Sequence, residues 1–188
     1  GEIMYEHSMM MQEKYPGIKI VCMGDMNDNP TDPSMAEYLH GREFREEVTD
    51  ADFFSPFTSM LKAGFGSLAY QGVWSIYDLL LVNNALANPA EGTFGLRQLH
   101  KKGYYGRVYN PKFLTNQKGQ YKGTPFRTFS NGAFIGGYSD HYPTYIVITK
   151  WEIATLLRGG TKFRRGNPRK AIKMKKLLLF ITAVFCSI

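Results

Sequence analysis

Three short stretches of this chain carry side chains able to support hydrolysis. Gly24 to Pro30 is a turn dense in Asp and Asn that holds Asp25 and Asn27. Asp78 opens an apolar run, and Asp140-His141 precede another. Carboxylates such as Asp25 and Asp140 are hard oxygen ligands suited to Mg²⁺ or Mn²⁺. Asn27 can coordinate a metal, or donate to a phosphate, without adding negative charge beside it. A histidine with a carboxylate partner keeps one tautomer and stabilises its imidazolium, which lets it bind or protonate a phosphoryl oxygen. Asp78 is the candidate partner for His141. A divalent metal bridging the phosphate would act as a Lewis acid. Each signal also has a purely structural reading. Asp and Asn in turns bond their own backbone, and an Asp-His pair can lie idle on a surface. Asp78 resists that reading, because a carboxylate among buried apolar residues requires a partner.

The elements that must position these residues follow from periodicity. Ile3, His7, Met10, Met11 and Lys14 recur at helical spacing, and Pro16-Gly17 ends the pattern. Ile18 to Met23 is expected to be a buried strand, with Asp25 and Asn27 following it. Asp32-Pro33 predicts an N-cap, then proline at the first position of a helix running to about His40. The cluster Phe53, Phe54 and Phe57 is expected to pack or to line a cleft. Ser67 to Tyr70 and Ser75 to Asn83 read as two strands joined by Gln71-Gly72, with Asp78 leading into an apolar stretch that fits a central strand. Residues 84–137 are loop-rich, and Thr144 to Thr149 reads as a strand. This order indicates an α/β domain with a mixed sheet. Sites in such sheets gather at strand ends, where Asp25, Asn27, Asp78, Asp140 and His141 all fall.

The net charge of +7 over 188 residues is unevenly placed. Residues 151–188 hold nine basic side chains against Glu152 alone, which leaves residues 1–150 nearly neutral. The expected organisation is therefore a domain over residues 1–150 and a basic tail over 151–188 outside the fold. Only the tail invites an anionic membrane or nucleic-acid partner. Met174-Lys175-Lys176 and the apolar run after it resemble the start of a secretory signal at the wrong end of a chain. Joining of a neighbouring reading frame would produce this, as would an amphipathic terminus that touches a membrane; the run is too short to span one. Cys22 and Cys186 lack metal-ligand spacing, and Cys22 reads as a small buried residue. Between residues 97 and 129, basic side chains from Arg97 to Arg127 interleave with Tyr and Phe. Such a segment either binds a phosphate-bearing or single-stranded ligand or packs over the sheet. His7, His40 and His100 read as helix or surface histidines. No compartment is assigned by the sequence.

Taken together, Gly24-Asp25-Met26-Asn27-Asp28, Trp74-Ser75-Ile76-Tyr77-Asp78 and Ser139-Asp140-His141-Tyr142-Pro143 resemble the endonuclease/exonuclease/phosphatase superfamily over residues 1–150. That superfamily includes pancreatic-type deoxyribonucleases, repair nucleases, inositol polyphosphate 5-phosphatases and bacterial sphingomyelinases. Tyr70 to Trp74 and Gln120 to Gly123 look like a bacterial, Bacteroidetes-type branch. The resemblance implies metal-dependent hydrolysis of a phosphodiester or phosphomonoester. Asp25 would orient or deprotonate the water, and Asn27 would help hold phosphate and water. His141 would contact the phosphoryl oxygen with Asp78 behind it, and Asp140 would bind or support the metal. It also implies the C-terminal half of a four-layer α/β/β/α sandwich with a mixed, mainly antiparallel sheet. The missing half would precede Gly1 and supply an Asn and a metal-binding Glu; Glu2, Glu6 and Glu13 do not match that Glu. No obligate protein partner is implied. Ile76 stands where many members carry Arg or Asn, which argues against a specific nuclease assignment. Two alternatives stay open: a catalytically incomplete fragment, and a basic-tail binding module for membrane or nucleic acid with a decayed hydrolase domain.

Overall fold

The computed structural model describes residues 1–150 and the backbone of residues 179–183. Helix α1 spans Glu2–Lys14, strand β1 Val21–Asp25 and the short helix α2 Pro33–Ala36. Two-residue strands β2 (Gly41–Arg42) and β3 (Phe53–Phe54) precede α3 (Thr58–Lys62). Next come β4 (Leu68–Tyr70), β5 (Val73–Ser75), β6 (Asp78–Asn83) and α4 (Asn84–Ala87). Strands β7 (Phe94–Leu96), β8 (Gly106–Val108), β9 (Phe129–Ser130) and β10 (Ala133–Phe134) punctuate the loop-rich stretch. The series closes with β11 (Thr144–Lys150) and β12 (Leu179–Ala183).

Two sheets carry the architecture. One runs β1-β6-β3-β2 and the other β12-β11-β7, with β8 also on β11. Among the described residues only β2 with β3 is parallel, so the α/β fold is mixed and mainly antiparallel. Every residue of β6 is buried, as its unbroken apolar run requires of a central strand. Phe53, Phe57, Ile76, Leu79 to Val82, Leu86, Leu96 and Ile146 form a continuous core around it. The phenylalanine cluster thus packs the core. Cys22 is also buried, its thiol 3.6 Å from the Ser8 hydroxyl of α1, and burial pushes that thiol's pKa up.

Several boundaries differ from those the sequence predicts, and side-chain hydrogen bonds explain most of them. β1 begins at Val21 rather than Ile18. The Asn83 N–H still donates to the Ile20 carbonyl at 3.1 Å, but its fully buried side chain accepts the Ile20 N–H at 3.0 Å and donates to the Ile18 carbonyl at 2.9 Å, taking those two groups out of the ladder. The strand expected from Ser75 to Asn83 is interrupted at Ile76-Tyr77. There the Ile76 N–H donates to Asn29 and the Tyr77 N–H to Ser67. The α2 helix stops at Ala36 instead of reaching His40, although Pro33 sits at its start as expected. Gln71 and Gly72 both have positive φ, 48° and 82°. That backbone closes the tight hairpin between β4 and β5 that the dipeptide predicts. Of the tail, only β12 lies among the described residues; its backbone pairs antiparallel with β11 from Thr144 to Ile148. The Met-Lys-Lys stretch and the Arg-rich linker lie outside them.

Candidate active site

Asp25 closes β1 and Asp78 opens β6, and the two are direct partners in the antiparallel register. Side chains opposite one another on paired strands share a face, so two carboxylates meet there and repel. His141 relieves this. Its Nδ1 lies 2.9 Å from Asp78 Oδ2 and 3.9 Å from Asp25 Oδ2. The ring therefore donates Nδ1–H to Asp78 and leaves Nε2 for another partner. Asp78, expected from its sequence context to need a partner, is 2% exposed and has one.

Burial by itself pulls the His141 pKa down. The hydrogen bond to Asp78, the charge of Asp78, and the charges of Asp140 and Asp25 together outweigh that and hold it above an ordinary histidine's. His141 is thus biased toward imidazolium.

Neighbouring groups fix these three residues. Thr144, the first residue of β11 and fully buried, donates Oγ1–H to the Asp78 carbonyl at 2.7 Å. This bond ties the second sheet to the start of β6. The His141 N–H donates to Ser139 Oγ at 3.1 Å. Tyr142 donates its N–H to the Ser67 carbonyl, and its hydroxyl lies 2.9 Å from both Thr115 Oγ1 and the Gly123 carbonyl, which share its one proton. The Met26 N–H donates to the Tyr77 carbonyl at 2.8 Å, extending the β1–β6 contact past Asp25. Asn27 then turns the chain at φ 52°, with its N–H on Asp25 Oδ1 at 3.1 Å. Asn tolerates this left-handed backbone better than most residues. The Asn27 side chain is exposed.

Asp25, Asp78 and His141 are therefore brought into contact. Asn27 is adjacent through its backbone. Asp140 is half-buried and reaches His141 through its charge. Thr144, Ser67 and Asn29 are positioning residues that the sequence did not single out. Nothing in their type or spacing marks them, since each acts on a backbone group of another segment.

The available donors are hard oxygens, which suit Mg²⁺ or Mn²⁺ over softer metals. Among the described residues, however, no three His, Cys, Asp or Glu side chains converge as a metal-holding group. A closed cage is thus not present among them. Mg²⁺ bound through one or two carboxylates, with water and phosphate filling the remaining positions, is compatible with such a donor set.

The family model for the Endonuclease/Exonuclease/phosphatase family matches residues 4–150. The chain belongs to the endonuclease/exonuclease/phosphatase family. The match spans all three motifs, from the turn after β1 to β11. No curated protein and no solved structure matches the chain. Membership places it among hydrolases of the phosphoesterase type.

The histidines outside the motifs take structural or surface positions. His40 stacks on Tyr5 at 4.2 Å, His100 Nδ1 accepts the Lys102 N–H, and His7 is exposed on α1. The basic-aromatic segment from 97 to 129 divides. Tyr104 and Tyr105 pack against the core, whereas Phe113 and Tyr121 are each 56% exposed.

Proposed function

We propose that this chain contributes Asp25, Asn27, Asp78, Asp140 and His141 to a divalent-metal-dependent hydrolase that cleaves a phosphoester with an activated water. The observation that carries this reading is the pairing of His141 with buried Asp78 directly across the register from Asp25. Asp78 holds the imidazole by Nδ1 and favours its charged form. Nε2 then meets a non-bridging phosphoryl oxygen or protonates the leaving oxygen. Asp25, whose side chain is 20% exposed, is open to solvent and orients or deprotonates the attacking water. The exposed Asn27 amide donates to the phosphate. Asp140, Asp25 and Asn27 are the groups that would hold Mg²⁺ or Mn²⁺, which when bound would neutralise phosphate charge as a Lewis acid. The scissile bond is that of a phosphodiester or phosphomonoester.

Family membership also supports reading this chain as the C-terminal half of a four-layer α/β/β/α sandwich. β1 has no strand on its outer edge among the described residues and is open to a further one. A second reading, a catalytically incomplete chain, is favoured by the lack of three convergent metal-holding side chains among those residues.

Hydrolysis of bis-p-nitrophenyl phosphate by the full chain, with Mg²⁺ or Mn²⁺ and then with EDTA, separates the two. The first reading expects metal-dependent turnover that falls roughly 10²- to 10⁴-fold in His141→Ala. No turnover above the metal-only blank would select the incomplete chain. Turnover indifferent to His141→Ala would remove the assigned mechanism.

A further inference from the structure

A cleft of about 390 Å³ lies between the β4–β5 hairpin, residues 116–127 and the β9–β10 hairpin. Its wall Trp74 lies in β5, just ahead of Asp78, and stacks on Tyr142, the residue after His141 (ring centroids 6.3 Å apart, planes 12° apart). We infer that this cleft is a subsite for a single unstacked nucleobase of a nucleotide substrate. The inference rests on the phosphoester reading of the neighbouring site.

The lining has the chemistry of base recognition. Tyr70, Trp74 and Tyr121 supply aromatic faces, Gln71 and Gln120 supply amides, and Arg127 supplies a planar cation. A nucleobase uses all three: a π-face for stacking, edges that both donate and accept, and a guanidinium that stacks or donates. These polar groups are available. Gln71, Gln120 and Arg127 make no side-chain hydrogen bond or ion pair among the described residues. The lining contains no carboxylate, and residues 92–139 contain no Asp or Glu while carrying eight Lys and Arg. An acid-free surround attracts a phosphate-bearing ligand. It also offers no carboxylate to accept from the vicinal hydroxyls of a sugar or cyclitol. A cleft of this volume takes one ring system and excludes a base-paired duplex.

The cleft is also built rather than incidental. Asn116 donates its amide to the Thr124 hydroxyl at 3.1 Å and the Pro125 carbonyl at 2.8 Å, holding one wall in shape. Gly66 lets Trp74 approach its backbone: a Cβ at that position would sit 2.5 Å from the indole. The positive φ of Gln71 and Gly72 turns the hairpin so that both residues line the opening. A base held against Trp74 would rest on the ring that stacks on Tyr142, the residue next to His141. The specificity follows: a single strand is accepted, and a duplex only where a base is unstacked.

Fluorescence anisotropy on the full chain in EDTA, where metal-dependent hydrolysis is stopped, tests this. The probes are a labelled six-nucleotide thymidine strand, a base-free deoxyribose-phosphate strand of equal length, and a duplex. The base-bearing strand is expected to bind roughly 5- to 100-fold more tightly than the base-free strand. That ratio should collapse toward one in Tyr121→Ala. Tyr121 is 56% exposed, so the fold survives its removal. Arg127→Gln should weaken both strands. Equal or undetectable binding of both strands overturns the inference, as does a ratio unchanged by Tyr121→Ala. Displacement by myo-inositol phosphates or phosphatidylcholine vesicles as readily as by thymidine monophosphate overturns it in favour of a polyol or a lipid head group. The base-free substrate bis-p-nitrophenyl phosphate reports on the phosphoester site alone, so its hydrolysis without base discrimination removes the subsite and spares the site. Base discrimination without hydrolysis does the reverse.

Discussion

Replacing Asp78 by Asn is the sharpest probe of the His141 environment. The substitution keeps the shape and an acceptor for Nδ1–H but removes the charge. Asp78 is 2% exposed and the His141 side chain 11%, so water screens this pair poorly. A hydrogen bond to a charged partner contributes roughly 1.5–3 kcal/mol, against about 1 kcal/mol for a neutral one. The expected loss is therefore about 1–2 kcal/mol wherever His141 is protonated, or roughly 2–8 °C in the melting temperature of a domain this size. The pH dependence has a definite sign. The folded-state pKa of His141 is raised, so its contribution is fully present below the unfolded value near 6.5 and disappears as pH rises through the folded value. The variant should be less stable than the wild type at about pH 5.5 and close to it, or slightly more stable, at about pH 9. At the higher pH the wild type keeps a buried carboxylate whose partner has lost its charge. Urea unfolding at the two pH values measures the difference, and NMR titration of the His141 ring proton should show a lower pKa in the variant. An equal stability loss at both pH values, with the His141 titration unmoved, would refute the account of the pair.

Two other perturbations test the surroundings. Tyr142→Phe removes the hydroxyl that ties Thr115 and Gly123 to the segment carrying His141, just before β11. It should cost about 1 kcal/mol and make Lys118 and Lys122 cleave several-fold faster in limited trypsin digestion; unchanged cleavage would show that another contact holds this loop. Asp52 is 7% exposed, and burial alone would raise its pKa. Its bonds to Thr49 and the Arg42 guanidinium outweigh this and hold it below the usual carboxylate range. Its contribution is present above about pH 3.9 and disappears as pH falls through the lower folded value. Asp52→Asn should lose about 1–2 kcal/mol at pH 7, reduced by solvent because Arg42 is 40% exposed. It should also show a flatter acid-unfolding curve than the wild type between about pH 5 and 2.

The parts of this protein legible in its sequence are those in which a residue's role is set by its immediate neighbours. The apolar run after Asp78 marks a central strand because every position in it is buried. Gln71-Gly72 marks a hairpin because Gly72 takes positive φ without a steric cost, and Gln71 is carried into it as well. A carboxylate at the head of a buried strand implies a partner, and His141 is that partner. Other features depend on bonds between distant segments and leave no local trace. Asn83 ends β1 early through bonds to Ile18 and Ile20, more than sixty residues away. Asn29 and Ser67 break a strand that apolar pattern alone would continue through Ile76. The two-residue strands β2 and β3 are too short to show a period. Strands β7 and β8 exist because β11 offers them an edge, not because Phe94–Leu96 or Gly106–Val108 announce one.

The same distinction bears on how the site works. Asp25 and Asp78 could be named from motifs, but the repulsion between them is visible only in their direct pairing across the register. His141 lies against both carboxylates. A single carboxylate beside a partly buried imidazole has to overcome desolvation alone, whereas here Asp78, Asp25 and Asp140 act on one ring. The arrangement also constrains metal binding. A cation on Asp25 or Asp140 would compete with the imidazolium for the same negative field, so metal loading should lower the His141 pKa, and protonation of His141 should weaken metal binding. Phosphate bound at the site would offset both positive charges, making three-way occupancy more favourable than metal and imidazolium together without substrate. The chemistry would then be assembled only when substrate arrives, which suits a site whose acidic side chains do not form a closed metal cage among the described residues.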